Sequence, residues 1–146
     1  MSAVFPQPQW FAALGELMES EGESFRRLGY AETRFAIKVL PENGTGNEQV
    51  VGLEFDGYRL KEARALSDVW AFQPDFVICG KQSIWQRMLD EIRSDGRPHL
   101  RHTLNSLVLV GEELWLESKD QLQEDKFYRY NQTLQEFFNL ASRTQR

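Results

Sequence analysis

The chain has a single cysteine, Cys79, among its 146 residues. That excludes an internal disulfide and a thiolate metal cluster, and it fits a reducing compartment. Basic charge is also scarce: 17 Lys and Arg stand against 22 Asp and Glu, for a net charge of -5 and a pI near 5.1. Binding to a nucleic-acid backbone relies on clustered cations that displace counterions, and no such cluster is present. The densest basic spots, Arg26-Arg27 and Arg97 to Arg101, are diluted by acids or apolar residues and read as solvated faces. No stretch approaches the ~18 apolar residues of a spanning helix. Met1 to Gln9 has neither a basic start nor an apolar run, so no signal peptide is expected. The expectation is a soluble cytoplasmic protein with no stable membrane anchoring and no nucleic-acid partner. A Gly-x-Ser-x-Gly elbow, a phosphate loop and a dinucleotide glycine pattern are all missing from the sequence.

Apolar material is abundant, at 41% hydrophobic residues, and aromatics reach 12%, with ten Phe, four Trp and four Tyr. This length predicts one domain: a lead over 1–9, a domain over 10–142 and a frayed end over 143–146. Trp10, Phe11, Leu14, Leu17 and Met18 mark one face of a first helix, which Ser24 to Leu28 extends as far as Gly29. Phe35, Ile37 and Val39 alternate with polar or small residues, and Val51, Leu53 and Phe55 do so again beyond a loop over 41–47 dense in turn formers. Asp56-Gly57 turns the chain into a third strand, Tyr58 to Leu66. Trp70-Ala-Phe72 and Asp75 to Cys79 read as a fourth β-prone run, closed by Gly80.

From Ser83, read as an N-cap, Ile84, Trp85, Met88, Leu89 and Ile92 predict a second amphipathic helix. A helical piece around Leu100 and Leu104 leads to an apolar strand, Leu107 to Val110, and then to Leu114-Trp-Leu116. The terminal helix, from about Asp120 to Ser142, carries Leu122, Phe127, Tyr130, Leu134, Phe137, Phe138 and Ala141 at the spacing of one face. The order predicts an α+β domain with a five-stranded, mainly antiparallel sheet and helices packed on one face.

Candidate chemistry is sparse. His99 and His102 sit three apart, but no acid lies at ligand spacing beside them, and Asp95 is cut off by Gly96 and Pro98, so no metal site is expected. Asp90-Glu91, Glu112-Glu113 and Glu124-Asp125 are neighbours that diverge on a helix and read as solvated surface. Cys79 inside a strand reads as an inert small hydrophobe. The aromatic stripes are more often core than ligand wall. Here, though, three wide apolar helix faces compete for a single sheet, and the surplus needs a ligand, a partner or a second subunit.

Asp75-Phe-Val-Ile-Cys-Gly80, the helix Ser83-Ile-Trp-Gln-Arg-Met-Leu89 and the segment Leu104-Asn-Ser-Leu-Val-Leu-Val-Gly111 together resemble the sterol carrier protein type 2 family. The resemblance runs from about Trp10 to Ala141. It departs from the family's usual Gly-Lys and Asn-Pro at Ser94 to Pro98 and from its Gly-Lys at Ser106-Leu107. It implies a hydrophobic tunnel for a fatty acid, fatty acyl-CoA, sterol or phospholipid, with no enzymatic activity, no cofactor and no metal. Carried over by position, the walls would be Phe76 and Ile78, or Val77 and Cys79 if the register is inverted. Trp85, Met88, Leu89, Leu104, Leu107 and Leu109 would join them, and Phe127, Leu134 and Phe138 would form the lid. Two alternatives remain open. One is a ketosteroid-isomerase-like enzyme, which needs Asp68 or Asp75 in a cavity beside Tyr58 or Tyr130. The other is an interaction module docking through the terminal helix, including as a homodimer.

Overall fold

The computed structural model describes residues 3–43 and 46–144. The other termini and the middle of the predicted loop at Gly44 and Thr45 lie outside the described residues. Alternation builds the sheet: β1 (Ala31–Leu40), β2 (Gln49–Gly57) and β3 (Arg59–Ala65) form an antiparallel meander, with Gly57 supplying the positive φ of the second turn. β4 (Phe76–Lys81) pairs with β1 in parallel, and β5 (Leu114–Glu117) pairs antiparallel with β4. The strand order is β3-β2-β1-β4-β5. The sheet is therefore mixed, with a single parallel pairing.

Odd-numbered side chains of β1 and β2 and even-numbered ones of β4 point to one face, where Phe35, Ile37, Val51, Leu53, Phe55, Phe76 and Ile78 are buried. Helices α1 (Pro8–Ser20), α3 (Gln82–Asp95) and α5 (Gln121–Asn139) cover that face, burying Phe11, Leu14, Met18, Trp85, Met88, Leu89, Phe127, Leu134, Phe137 and Phe138 against it. The short α2 (Gly22–Leu28) adds Phe25 and stops at Gly29. The opposite face is lined by Ala36, Val77 and Cys79 and capped by the β3–β4 connection through Leu66, Val69 and Trp70. Phe72 sits flat on the sheet there because position 52 is glycine: a Cβ on Gly52 would stand 2.8 Å from the Phe72 ring.

Three local expectations need correction. Leu107 to Val110 is not a strand; Leu104–Leu109 is helix α4, since the Thr103 hydroxyl accepts from Ser106 N at 3.1 Å and caps it. The fifth strand is instead Leu114–Glu117. Trp70–Phe72 is a single 3-10 turn held by Asp68, whose carboxylate accepts from Trp70 N at 3.1 Å. Ser83 lies inside α3 and does not cap it. The cap comes from a distance, as Glu42 accepts both the Ser83 amide (3.0 Å) and its hydroxyl (2.6 Å). These hydrogen bonds hold the Glu42 carboxyl below its ordinary pKa.

Candidate functional site

The face between sheet and helices is built from rings. Phe35 contacts Phe55 at 5.2 Å between centroids and stacks on Phe76 at 5.5 Å. Phe127 and Phe137 reach down from α5 onto Phe76 and Phe55, at 5.7 and 5.2 Å. A second group, Phe5, Trp10, Phe11, Trp85 and Phe138, gathers where the N-terminal lead meets α1, α3 and α5. Phe137 and Phe138, 5.9 Å apart, join the two groups. The Trp10 and Trp85 indole nitrogens are buried in this interior with no hydrogen-bond partner among the described residues. A buried donor left unmet costs about 1–3 kcal/mol, so two of them among rings stand out.

Of the positions read as ligand walls, Phe76, Ile78, Trp85, Met88, Leu89, Leu104, Leu107, Phe127, Leu134 and Phe138 all lie in this one buried cluster. Phe76 and Ile78 face the helices, whereas Val77 and Cys79 face the opposite side. Leu109 stands apart at 56% exposure, because the helical turn of α4 directs Leu104 and Leu107 inward and leaves it outside. Leu122 at the start of the terminal stripe is likewise exposed, at 82%. The sequence reading missed Phe5 and Phe11. The Pro-broken lead hid the first, and the second was assigned only to a helix face.

Among the described residues, grooves of about 260, 320, 410 and 470 Å³ run along the surface, and these are not lined by the ring cluster. The rings touch one another, so the expected tunnel is not formed by these grooves. Among the described residues, α5 is tied to the sheet by a polar clamp. Asp75 Oδ2 accepts from Thr33 Oγ1 (2.7 Å), Arg34 N (3.1 Å) and Lys126 Nζ of α5 (3.1 Å).

The carboxylates considered for catalysis are engaged in structural roles. Asp75 forms the clamp above and Asp68 caps the 3-10 turn. Tyr58 packs on Tyr30 under Arg26, and Tyr130 lies under Arg129. Neither tyrosine is brought to either acid by these contacts. The histidines are placed differently from the sequence expectation. Glu91 of α3, eleven residues before His102, sets its Oε2 2.7 Å from His102 Nδ1 and 3.4 Å from His99 Nδ1. Burial works to raise the Glu91 pKa, but hydrogen bonds from the His99 backbone N–H and the His102 ring outweigh it and hold the carboxyl below its ordinary value.

Among the described residues no helix is long and apolar enough to cross a membrane. No protein-family model and no curated protein matches the sequence. Solved structures do match, over nearly the whole chain. A crystal structure of sterol carrier protein 2 aligns with TM-score 0.63 and 22% identity, over 92% of this chain and 95% of its own. The solution structure of a conserved hypothetical protein from Thermus thermophilus aligns with TM-score 0.63 and 21% identity, over 98% of this chain and 89% of its own. The sterol carrier protein domain 2 of Helicoverpa armigera aligns with TM-score 0.52 and 11% identity, over 100% of this chain and 98% of its own. The chain therefore has the sterol carrier protein 2-like fold. At 11–22% identity this likeness is one of fold.

Proposed function

We propose that the protein is a non-enzymatic binder or carrier of an apolar ligand, of the class of a fatty acid, fatty acyl-CoA, sterol or phospholipid. The ligand is held among the rings between sheet and helices and covered by α5. The observation that carries this reading is the buried ring cluster holding two indole N–H groups with no hydrogen-bond partner among the described residues. A guest whose chain lies against the rings and whose oxygen accepts from an indole meets both the apolar wall and the orphaned donor. The shared fold of sterol carrier protein 2 supports the same assignment.

Binding proceeds by opening. α5 or the lead carrying Phe5 moves off the sheet, and ring-to-ring contacts are exchanged for ring-to-ligand contacts. Burying a chain of some fourteen carbons contributes on the order of 10 kcal/mol gross, at about 0.8 kcal/mol per methylene, against the cost of parting the rings and ordering the ligand. No charged anchor is then needed.

Native mass spectrometry of freshly expressed protein tests this directly, together with titration of a fluorescent fatty acid read by quenching of tryptophan emission. The expected outcome is a co-purifying lipid, or a probe that binds at micromolar concentration and is displaced by unlabelled fatty acid or sterol. Protein that carries no lipid and shows no displaceable probe overturns the assignment.

A further inference from the structure

We propose that Glu91, His99 and His102 form a binding site for one divalent transition-metal ion of the zinc class, stapling α3 to the loop that leads into α4. One donor atom from each residue lies within 4.8 Å of the others. Glu91 Oε2 is the shared point, 2.7 Å from His102 Nδ1 and 3.4 Å from His99 Nδ1. Metal–ligand bonds of about 2.0–2.1 Å in tetrahedral geometry put neighbouring donors roughly 3.3 Å apart. His99 Nδ1, at 3.4 Å from Glu91 Oε2, already stands at that separation, and His102 Nδ1, at 2.7 Å, needs only a small shift outward.

The carboxylate is already oriented for this. Its other oxygen, Oε1, accepts the His99 backbone N–H at 2.9 Å, which turns Oε2 toward both rings. The imidazoles are stacked, with centroids 5.7 Å apart and planes 25° apart, and converge on that oxygen from one side. Asp95 Oδ2 stands 3.7 Å from His99 Nε2, in the outer position from which a carboxylate orients a metal-bound histidine.

The donor set selects the metal. Two imidazoles and one carboxylate suit zinc, cobalt, nickel or copper, whereas magnesium and calcium prefer oxygen alone. Three protein donors leave at least one coordination position free. That position is reached from the His99 side, which is 63% exposed and borders a groove of about 470 Å³ walled by Asp95, Gln135 and Glu136. Glu91 and His102 are mostly enclosed, so the ion is gripped from within and open outward.

The site is independent of the apolar-ligand reading, and its test uses the metal alone. Tag-free protein is stripped with a chelator and titrated with Co²⁺, read by its visible d–d bands, with Zn²⁺ as competitor. Binding of one ion per chain and displacement by Zn²⁺ are expected. His99→Gln, at the exposed ligand, should weaken binding by more than the roughly 10- to 100-fold typical of losing an outer-shell partner while the circular dichroism spectrum stays native, and His102→Gln should do the same. Asp95→Asn should cost about 10-fold. If His102→Gln fails to fold, His99→Gln decides alone. The absence of d–d bands at millimolar Co²⁺, or binding that is unchanged in His99→Gln, overturns the site and leaves a plain carboxylate–imidazole cluster.

Discussion

The two faces of the sheet solve the same problem with different materials. On the helix side, β1, β2 and β4 present Phe35, Phe55 and Phe76, and the helices answer with further rings. On the other side the same strands present Ala36, Gly52, Val77 and Cys79, and the β3–β4 connection packs closely on them. Small residues allow the covering chain to approach closely. Large rings hold the helices off and make a thick layer. The guest proposed above is accordingly assigned to the helix side, and the contrast comes down to alternate residues of the same three strands.

Removing one ring from the thick layer should break the comparison most visibly. Phe76→Ala should cost about 3–5 kcal/mol by urea denaturation, since Phe76 is fully buried between Phe35 and Phe127. Val77→Ala, one residue along and on the thin side, should cost about 2 kcal/mol. The sharper half concerns ligand. A fatty acid should recover part of the stability of Phe76→Ala by filling the vacated space and should leave Val77→Ala unchanged. Equal recovery of both variants, or of neither, removes the distinction drawn between the faces.

Much of this contrast was legible in the sequence. The alternation of Phe35, Ile37 and Val39 and of Val51, Leu53 and Phe55 fixes which side chains share a face, and the three- and four-residue spacing in α1, α3 and α5 marks the helices that cover it. What escaped was non-local. The parallel pairing of β1 with β4 joins residues about forty apart, and no local pattern encodes it. A run as short as Leu104 to Val110 is apolar enough for either strand or helix, and the Thr103 cap decides it. Glu91 meets His99 and His102 only because the chain turns at Gly96, whose φ of 84° ends α3 and reverses direction. The ring-to-ring closure of the interior depends on how three helices sit on the sheet, which spacing alone does not give.

The thin face makes a second prediction through Cys79. Burial, reinforced by the Glu117 charge and only partly offset by Lys38, pushes its thiol up to about 12 from an ordinary 9.0. A folded-state pKa above the unfolded one means that the associated stability is intact below pH 9 and is lost as pH rises toward 12. By pH 10 the loss should be about 1 kcal/mol, because each unit of difference corresponds to 1.36 kcal/mol. At pH 8 a thiol reagent should label the native protein no faster than the chain unfolds. Rapid stoichiometric labelling of native protein would show that the cover over this face opens readily, as the ring face is proposed to do.

The smallest effect tests what holds that cover down. Phe72 lies under two guanidinium groups, Arg34 at 4.3 Å and Arg64 at 5.1 Å from the ring centre. Arg64 is the more exposed of the two and also pairs with Glu62 at 3.0 Å, an exposed ion pair that contributes little on its own. Arg64→Ala should therefore cost about 0.5–1 kcal/mol, seen as a lower urea midpoint with an unchanged slope. Glu62→Gln should be neutral, since it keeps the cation over the ring. If Glu62→Gln costs as much as Arg64→Ala, the ion pair carries the effect and the ring is held by burial alone. If only the arginine matters, the thin face is pinned by cations on an aromatic lid. On the thick face the buried rings meet one another, and α5 is tied down by the Lys126–Asp75 clamp.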